Sequence, residues 1–168
     1  MKAFDHAGKE KWSLNLGPFD SEHGHGASPL LYEGKLIVQN DQIGEGSIVA
    51  IDVKSGKIAW KCPRRANEKA SFSSPCLLER KGKAPELLTL STSYGISSVD
   101  PRSGVLNWEA RVFDKRCVSS PVVAGDLVIG TCGEGSGANT VVAVKLGGKG
   151  DVTASHVAWK ITKSAPYV

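Results

Sequence analysis

A chain of 168 residues with 40% hydrophobic and 23% charged residues has the length and composition of one globular domain, which excludes a disordered polypeptide. Its net charge of +4 comes from Lys and Arg scattered among acidic residues, without the basic stretches interleaved with aromatics that nucleic-acid binding requires, so nucleic acid is not an expected partner. No run approaches the ~18 apolar residues of a membrane span. Nineteen glycines and eight prolines separate short Val/Ile/Leu runs, and this distribution predicts an all-β fold.

A motif built on Asp, Gly and Trp recurs from the first residues of the chain onward. Its copies are Asp5-x2-Gly8-x3-Trp12, Asp52-x3-Gly56-x3-Trp60 and Asp100-x3-Gly104-x3-Trp108. The three tryptophans are spaced 48 residues apart, and a fourth, Trp159, follows after 51 residues. The extra residues lie in LGGKGDVTASH, a longer turn that lacks the matching glycine. This period indicates a repeat protein whose last copy is degenerate.

A second motif has nearly the same period. Ser-Pro pairs occur every 46 residues, at Ser28-Pro29, Ser74-Pro75 and Ser120-Pro121, and Ala165-Pro166 follows 45 residues later. About four strand-sized runs separate each pair from the next tryptophan; in the first full copy they are SPLLYE, KLIVQN, SIVAID and KIAW. These runs are β-branched, which argues against TPR, ankyrin and HEAT repeats, since those need helices. A repeat near 46 residues with four short antiparallel strands is typical of a β-propeller blade.

The Asp-Gly-Trp motif is better explained by structure than by catalysis. The Asp52 carboxylate can accept hydrogen bonds from backbone amides in an Asx-type turn, and Gly56 supplies the positive φ of a sharp turn between the third and fourth strands. Trp60 then lies on the outer strand, where its ring can cover the face of a neighbouring blade. We predict such blade-docking roles for Trp12, Trp60, Trp108, Trp159, Asp52, Gly56, Asp100 and Gly104.

These residues carry a family resemblance. The stretch from Ala50 to Trp60, Ala-Ile-Asp-x3-Gly-Lys-x2-Trp with an upstream Ser-Pro, resembles the repeat of pyrroloquinoline-quinone-type β-propellers, the quinoprotein alcohol dehydrogenase-like family. The resemblance spans essentially the whole chain. GHGASPLLYEGKLIVQNDQ and HVAWKITKSAPYV further resemble the secreted propeller-repeat proteins of planctomycete-type bacteria. The resemblance implies a periplasmic, secreted or cell-surface location.

Propellers of this family usually close with seven or eight blades, so the resemblance implies an open arc of about three four-stranded antiparallel blades. We predict one propeller domain in these parts: residues 1–16 end a preceding blade, 17–62, 63–110 and 111–163 are blades, the last with the degenerate turn, and 164–168 start the next blade. The missing blades of the same propeller are expected partners. Without them apolar blade surface is exposed at both ends, and we expect the isolated chain to self-associate or to be marginally stable.

The loops before the first strand and between the second and third strands of each blade are predicted to share one face, at the mouth of the central channel. They are PFDSEHGHGA (18–27), PRRANEKASF (63–72), FDKRC (113–117), DQIGEGS (41–47) and CGEGSGAN (132–139). Candidate ligand-binding residues on this face are His23, His25, Asp41, Glu45, Arg116 and Glu134. His23 and His25 lie two apart and could offer two imidazoles to a metal, but two ligands do not make a site, and a polar loop is the favoured interpretation.

No catalytic constellation stands out. The recurring Ser-Ser-Pro serines belong to the repeat, and the glycine-rich runs precede strands, which favours hairpins over phosphate-binding loops. The four cysteines have no CxxC spacing, so buried small hydrophobic side chains are the default, with a disulfide left open. The basic doublet Arg64-Arg65 is interpreted as part of a solvated loop. We therefore predict no catalytic, cofactor-binding or metal-binding residue in this chain.

Three functional interpretations follow. The first is a non-catalytic segment of an exported quinoprotein-like propeller that binds a protein or a small-molecule ligand with its channel-mouth loops. The alternative is a fragment of a pyrroloquinoline-quinone-dependent dehydrogenase whose catalytic residues lie in missing blades. The resemblance implies that such enzymes hold the quinone with a disulfide between adjacent cysteines, a tryptophan platform, an arginine and a calcium ion bound by Glu, Asn and Asp, whereas this chain has no adjacent cysteines. A sensor or kinase ectodomain is the third.

Overall fold

Short β-strands make up most of the regular structure in the computed structural model, which describes residues 1–135 and 137–166. A leading strand pair consists of β1 (Lys2–Phe4) and β2 (Glu10–Ser13). The first blade consists of β3 (Leu30–Tyr32), β4 (Lys35–Asn40), β5 (Ser47–Asp52) and β6 (Ile58–Pro63). The second blade consists of β7 (Cys76–Leu78), β8 (Glu86–Ser91), β9 (Gly95–Val99) and β10 (Leu106–Ala110).

The third blade is interrupted before its last strand. It consists of β11 (Val122–Ala124), β12 (Leu127–Glu134), β13 (Gly137–Lys145) and β15 (Val157–Ile161). Between β13 and β15 lie a short strand, β14 (Gly150–Asp151), and a single-turn helix, α1 (Thr153–His156). Within each blade the strands pair antiparallel in chain order. This confirms the predicted all-β fold of about three four-stranded antiparallel blades.

The segment predicted to be a degenerate long turn contains the strand β14 and the helix α1. Its strand β14 leaves the third blade and pairs in parallel with β10, the outer strand of the second blade, with Trp108 opposite Gly150 and Glu109 opposite Asp151. The Val152 amide also donates a 2.8 Å hydrogen bond to the Glu109 carbonyl. The second blade is therefore a five-stranded sheet, and backbone pairing joins two neighbouring blades at their outer edge.

The hydrophobic core lies between the blades, because the middle strands bury both of their faces. Successive side chains of a strand point to opposite sides of the sheet. In β8, Leu87 belongs to a cluster with Ile37 and Ile48 of the first blade, whereas Leu88 belongs to a cluster with Val142 of the third blade. A strand that packs against a neighbour on each side has to be apolar at consecutive positions, which explains the continuous runs of the sequence.

At two junctions, a tryptophan of one unit packs against the glycine-containing turn between the third and fourth strands of the next blade. Trp12 of β2 donates a 2.9 Å hydrogen bond from Nε1 to the Val53 carbonyl, and Trp60 of β6 donates a 3.2 Å bond from Nε1 to the Pro101 carbonyl. A Cβ atom at Gly56 would lie 2.6 Å from the Trp12 ring, and one at Gly104 would lie 2.5 Å from the Trp60 ring. No side chain fits between the turn and the indole.

The same turns explain the aspartates and the glycine conformations. Asp52 Oδ1 accepts a 2.8 Å bond from the Ser55 amide, and Asp100 Oδ1 accepts a 2.8 Å bond from the Arg102 amide. Gly56 has φ of 70° and Gly104 has φ of 78°, in the left-handed region that L side chains rarely adopt. The turn therefore needs glycine for its backbone as well as for the space that the tryptophan occupies.

The other two tryptophans have different surroundings. Trp108 is 1% exposed, belongs to the cluster shared with the third blade, and donates a 3.0 Å bond from Nε1 to Glu86 Oε2 within its own blade. Trp159 of β15 remains 38% exposed. The degenerate turn thus replaces the tryptophan-on-glycine contact after the second blade with the pairing of β14 and β10.

We predict that Gly56→Ala and Gly104→Ala each destabilise the chain by about 2–4 kcal/mol, because an added methyl group strains a positive-φ backbone and overlaps an indole ring. Chemical denaturation followed by tryptophan fluorescence measures the change in the unfolding midpoint.

Gly82→Ala is the matched control, since Gly82 has φ of 72° and a Cβ there would meet nothing within 4 Å. This variant should lose only the backbone contribution, about 1 kcal/mol. Equal losses at the three positions would show that the indole contact adds nothing to stability.

Candidate functional site

The loops at one end of the blades are joined to one another by backbone hydrogen bonds. The Ile43 amide donates to the Asp20 carbonyl at 2.9 Å, and Gly44 and Asn67 form an antiparallel bridge. The Phe72 amide donates to the Cys117 carbonyl at 2.8 Å. The Gly133 amide donates to the Arg116 carbonyl at 3.0 Å. Loops 18–27, 41–47, 63–72 and 113–117 and the hairpin residues 132–135 and 137–139 are thus linked across three blades, and we call the face that they form the loop face.

Two buried residues of these loops form an ion pair between the first and second blades. Arg64 Nε is 3.3 Å from Asp41 Oδ1, and both side chains are 0% exposed. Arg64 Nη2 donates to Ser91 Oγ at 2.7 Å, and Gln39 Nε2 donates to Asp41 Oδ2 at 2.7 Å and to the Leu90 carbonyl at 2.8 Å. The interpretation of Arg64 as a solvated loop residue is wrong, because its guanidinium supplies the charge that a buried carboxylate requires.

A series of contacts, in which arginines alternate with an aromatic and an acidic side chain, leads from this pair to the surface. The Tyr94 ring lies between two guanidinium groups, with Arg64 Cζ 3.8 Å and Arg65 Cζ 3.7 Å from its centroid. Arg65 forms an ion pair with Glu109 and donates from Nη2 to the Ser93 carbonyl at 2.8 Å. Arg111 Nη2 also donates to Glu109 Oε1, at 2.8 Å. Two arginines therefore share one carboxylate that is only 6% exposed.

The pKa of Glu109 lies below its ordinary value. Burial raises the pKa of this carboxyl, but hydrogen bonds from Arg65 and Arg111 and their positive charges lower it by more. Glu109 is thus ionised at neutral pH, and it fixes two arginines at the edge of the loop face.

The exposed part of the loop face is a mixed-charge surface. Arg116 forms an ion pair with Glu22, lies 3.3 Å from His23 Nε2 through its Nη1, and has its Cζ 5.8 Å from the centroid of the Phe72 ring. Its guanidinium therefore links a loop of the first blade to the loop that enters the third. The His25 ring instead stacks on Phe19, with centroids 3.7 Å apart.

The remaining sequence-predicted residues have diverse positions. Glu134 forms ion pairs with Lys69 and Lys115, and the hydrogen bond from Lys69 lowers the pKa of its carboxyl. Glu45 is exposed, and its backbone carbonyl accepts a 2.7 Å bond from Gln42 Nε2. Asp41 is buried in the pair described above rather than presented to solvent. His23, Arg116 and Glu134 thus lie at least partly at the surface and contact residues of other loops. His23 and His25 have different partners, since His23 lies next to Arg116 and His25 stacks on Phe19.

Potential metal ligands and thiols are the remaining reactive groups of the described residues. No group of three or more His, Cys, Asp or Glu side chains in residues 1–135 and 137–166 is arranged to hold a metal ion. All four cysteines are free thiols, and burial raises the pKa of Cys117 well above its ordinary value. In the same described residues, no helix is long and apolar enough to cross a membrane.

Sequence reasoning missed the Asp41–Arg64 pair, although the repeat contains a signal for it. Arg64 stands four residues after Trp60, and Val112 stands at the same distance from Trp108. Asp41 directly follows the second strand of its blade, where the next blade has Thr92. An acid and a base that replace uncharged residues in the same copy of a repeat indicate a pair.

We predict that Asp41→Asn or Arg64→Met alone destabilises the chain by about 3–5 kcal/mol, because each leaves an uncompensated buried group. The double variant should lose clearly less than the sum of the two single losses, measured as a double-mutant cycle by chemical denaturation. The exposed pair of Arg102 and Glu33 is the control, with a coupling below about 1 kcal/mol. Strictly additive losses at Asp41 and Arg64 would contradict the pairing.

We further predict a pH dependence that comes from Glu109. Because its pKa in the folded chain is lower than the ordinary 4.5, its ionised form contributes stability above about pH 4.5, and this contribution is lost as the pH falls through the folded value. Glu109→Gln should lower the unfolding midpoint at neutral pH and reduce the further loss on acidification. Glu10→Gln, in an exposed pair with Lys2, should leave the acid-induced loss unchanged.

Comparison with solved structures gives fold-level similarity at low sequence identity. A europium-containing methanol dehydrogenase matches with a TM-score of 0.65 and 17% identity over 92% of this chain and 27% of its own. BamB from Moraxella catarrhalis matches with a TM-score of 0.61 and 19% identity over 93% of this chain and 44% of its own. The quinohemoprotein alcohol dehydrogenase ADHIIG from Pseudomonas putida HK5 matches with a TM-score of 0.52 and 18% identity over 86% of this chain and 21% of its own.

This chain therefore spans less than half the length of each of these propeller proteins. No curated protein matches it significantly. A family model described as outer membrane protein assembly factor BamB matches residues 2–163, which is nearly the whole chain. The chain thus belongs to the pyrroloquinoline-quinone-like propeller-repeat family that this model defines.

Proposed function

We propose that this chain is a non-catalytic segment of an exported propeller and binds another protein through its loop face. The observation that carries the proposal is the set of ion pairs between loops of different blades, Arg116 with Glu22 and Lys69 with Glu134. Arg116 of the first pair also lies near the partly buried Phe72 ring, with its Cζ 5.8 Å from the ring centroid. A surface whose side chains are ordered before binding loses less conformational entropy when a partner docks.

The composition of the loop face supports a protein partner. Arginine and aromatic residues are enriched among the residues that contribute most to protein–protein binding. Arg65, Arg116 and Phe72 supply both classes, and Lys69 and Lys115 add positive charge around Glu134. We expect the partner segment to carry acidic side chains that compete with Glu22 and Glu134 for these cations. The family model named for an outer membrane protein assembly factor is consistent with a role in protein assembly and with a periplasmic location.

A quinone with calcium does not fit the residues that the structure describes. The resemblance implies a tryptophan platform, but Trp12 and Trp60 each pack against a turn of the next blade. Trp108 is 1% exposed, and Trp159, which is 38% exposed, lies on the outer strand β15. The resemblance also implies carboxylates that hold a cation, whereas Asp41 is already paired with a buried arginine and Glu134 with two lysines.

The alternative is a segment of a quinone-dependent dehydrogenase whose catalytic residues lie in other blades. It is favoured by the fold-level matches to a methanol dehydrogenase and a quinohemoprotein alcohol dehydrogenase. A pair of adjacent cysteines in flanking sequence would support this alternative. A likeness at 17–18% identity establishes the fold and leaves the chemistry to the residues.

The experiment is site-specific photo-crosslinking in the cells that produce the protein. A photoreactive amino acid at His23, on the loop face, should give a discrete crosslinked protein, and one at Lys81, in an exposed turn of the second blade, should not. Arg116→Glu should reduce the His23 crosslink at least fivefold. It should change the free energy of unfolding by no more than about 1 kcal/mol, because Glu22, the partner of Arg116, is 62% exposed.

The result that would overturn the proposal is equal crosslinking at His23 and Lys81. Dye reduction that depends on added pyrroloquinoline quinone, calcium and an alcohol or sugar would instead establish the dehydrogenase alternative.

A further inference from the structure

We propose that Cys117 and Cys132 form a disulfide that joins the loop entering the third blade to strand β12 of that blade. The two thiols are free in this structure, so the bond is a modification that the folded geometry allows. The inference rests on the proposed function only for the export of the chain, since disulfides persist in the periplasm and outside the cell. It does not depend on what the loop face binds.

Two contacts align the loop before β11 with strand β12, in opposite directions. Arg116 and Gly133 form an antiparallel bridge, in which the Gly133 amide donates to the Arg116 carbonyl at 3.0 Å. Further along the loop, Ser119 Oγ accepts a 2.6 Å hydrogen bond from Thr131 Oγ1. The two segments therefore run antiparallel from one contact to the other.

Cys117 and Cys132 lie between these two contacts, each one residue from the bridge. Residues at such positions of an antiparallel pair are directly opposite, with Cα atoms about 4.5–5.5 Å apart and side chains on the same face. A disulfide needs Cα atoms about 4.4–6.8 Å apart, so this register suits one. Both residues are 0% exposed and belong to the same apolar cluster, as a bonded pair requires.

The electrostatics of the thiols agree with this register. Burial is the largest cause that raises the pKa of Cys117 and of Cys132, and a negative charge on Cys132 is the next cause at Cys117. Two thiols influence each other in this way only when they are close. Among the described residues, no other thiol contributes to the raised pKa of Cys62 or of Cys76. Cys117 and Cys132 are therefore the two thiols that the fold brings together.

The bond forms by thiol–disulfide exchange with the disulfide of an exported oxidant protein. The thiolate of one cysteine attacks a sulfur of that disulfide and releases one thiol of the oxidant. The thiolate of the other cysteine then attacks the sulfur of the first and releases the second thiol of the oxidant. The two cysteines lose two protons and two electrons in all, and the oxidant's disulfide gains them.

Burial determines when the bond forms, and the topology determines what it holds. A buried thiol with a raised pKa is inert, so the exchange takes place during folding, before the third blade closes. The bond then joins the loop that carries Arg116 to the strand that ends at Glu134. Two elements of the loop face would thus share one covalent support.

Tryptic mapping of the protein, alkylated under denaturing conditions as the producing cells are lysed, tests the proposal. No Lys or Arg lies between Cys117 and Lys145, so both cysteines fall in peptide 117–145, whereas Cys62 and Cys76 fall in two other peptides. Peptide 117–145 should lack two hydrogen atoms and should take up the alkylating reagent only after reduction. The other two cysteines should be alkylated without reduction.

Refolding the purified chain with oxidised or with reduced glutathione tests the geometry apart from the compartment. The oxidised chain should have an equilibrium constant for unfolding at least tenfold lower than the reduced chain, because a cross-link restricts the unfolded state. Cys117→Ala should abolish this difference. Cys62→Ala, which removes another buried thiol, is the matched control and should retain it.

Free thiols at Cys117 and Cys132 in protein from the producing cells, or a bond from either of them to Cys62 or Cys76, would overturn the proposal. So would a refolded chain whose peptide 117–145 stays a dithiol in oxidised glutathione. A disulfide without a crosslink at His23 would support this inference and count against the proposed binding role, and a crosslink with free thiols would do the reverse.

Discussion

Burial of both faces of each blade is the constraint on which the rest of this structure depends. Leu87 packs towards the first blade while Leu88 and Leu90, on the same strand, pack towards the third. A single four-stranded blade would leave one or both of these faces in water, so no blade is stable by itself. The tryptophan-on-glycine turns, the β10–β14 pairing and the Asp41–Arg64 pair are three ways in which this molecule joins neighbouring blades.

The two junctions that involve the second blade differ in chemistry. Towards the first blade, the end nearest the loop face holds Arg64 and Asp41, whose hydrogen bonds reach Ser91 and the Leu90 carbonyl. Towards the third blade, Phe113, Cys117 and Cys132 are buried in an apolar cluster. A buried ion pair often adds no more stability than an apolar contact of similar size. Here it also positions the Arg64 guanidinium against the Tyr94 ring, which Arg65 contacts as well.

The sequence predicts the fold well because a repeat presents the same physical requirement several times. Asp, Gly and Trp at a constant spacing are informative since a turn with positive φ and an indole above it excludes other residues. The predictions of an all-β propeller arc and of its family are confirmed. The interpretation of Arg64 failed because burial of a charge depends on an acid 23 residues away, which composition does not reveal. The exit of β14 towards β10 was likewise not predictable, since β14 has only two residues and pairs across blades.

Amide hydrogen exchange tests most directly whether mutual packing stabilises the blades. If it does, the amides of β8 and β9 should exchange slowest, because the second blade has a neighbour on each side, and those of β12 and β13 should exchange faster. The leading pair β1 and β2, with two strands and one neighbour, should exchange fastest. Equal protection of all three groups, or slowest exchange in the leading pair, would contradict the account.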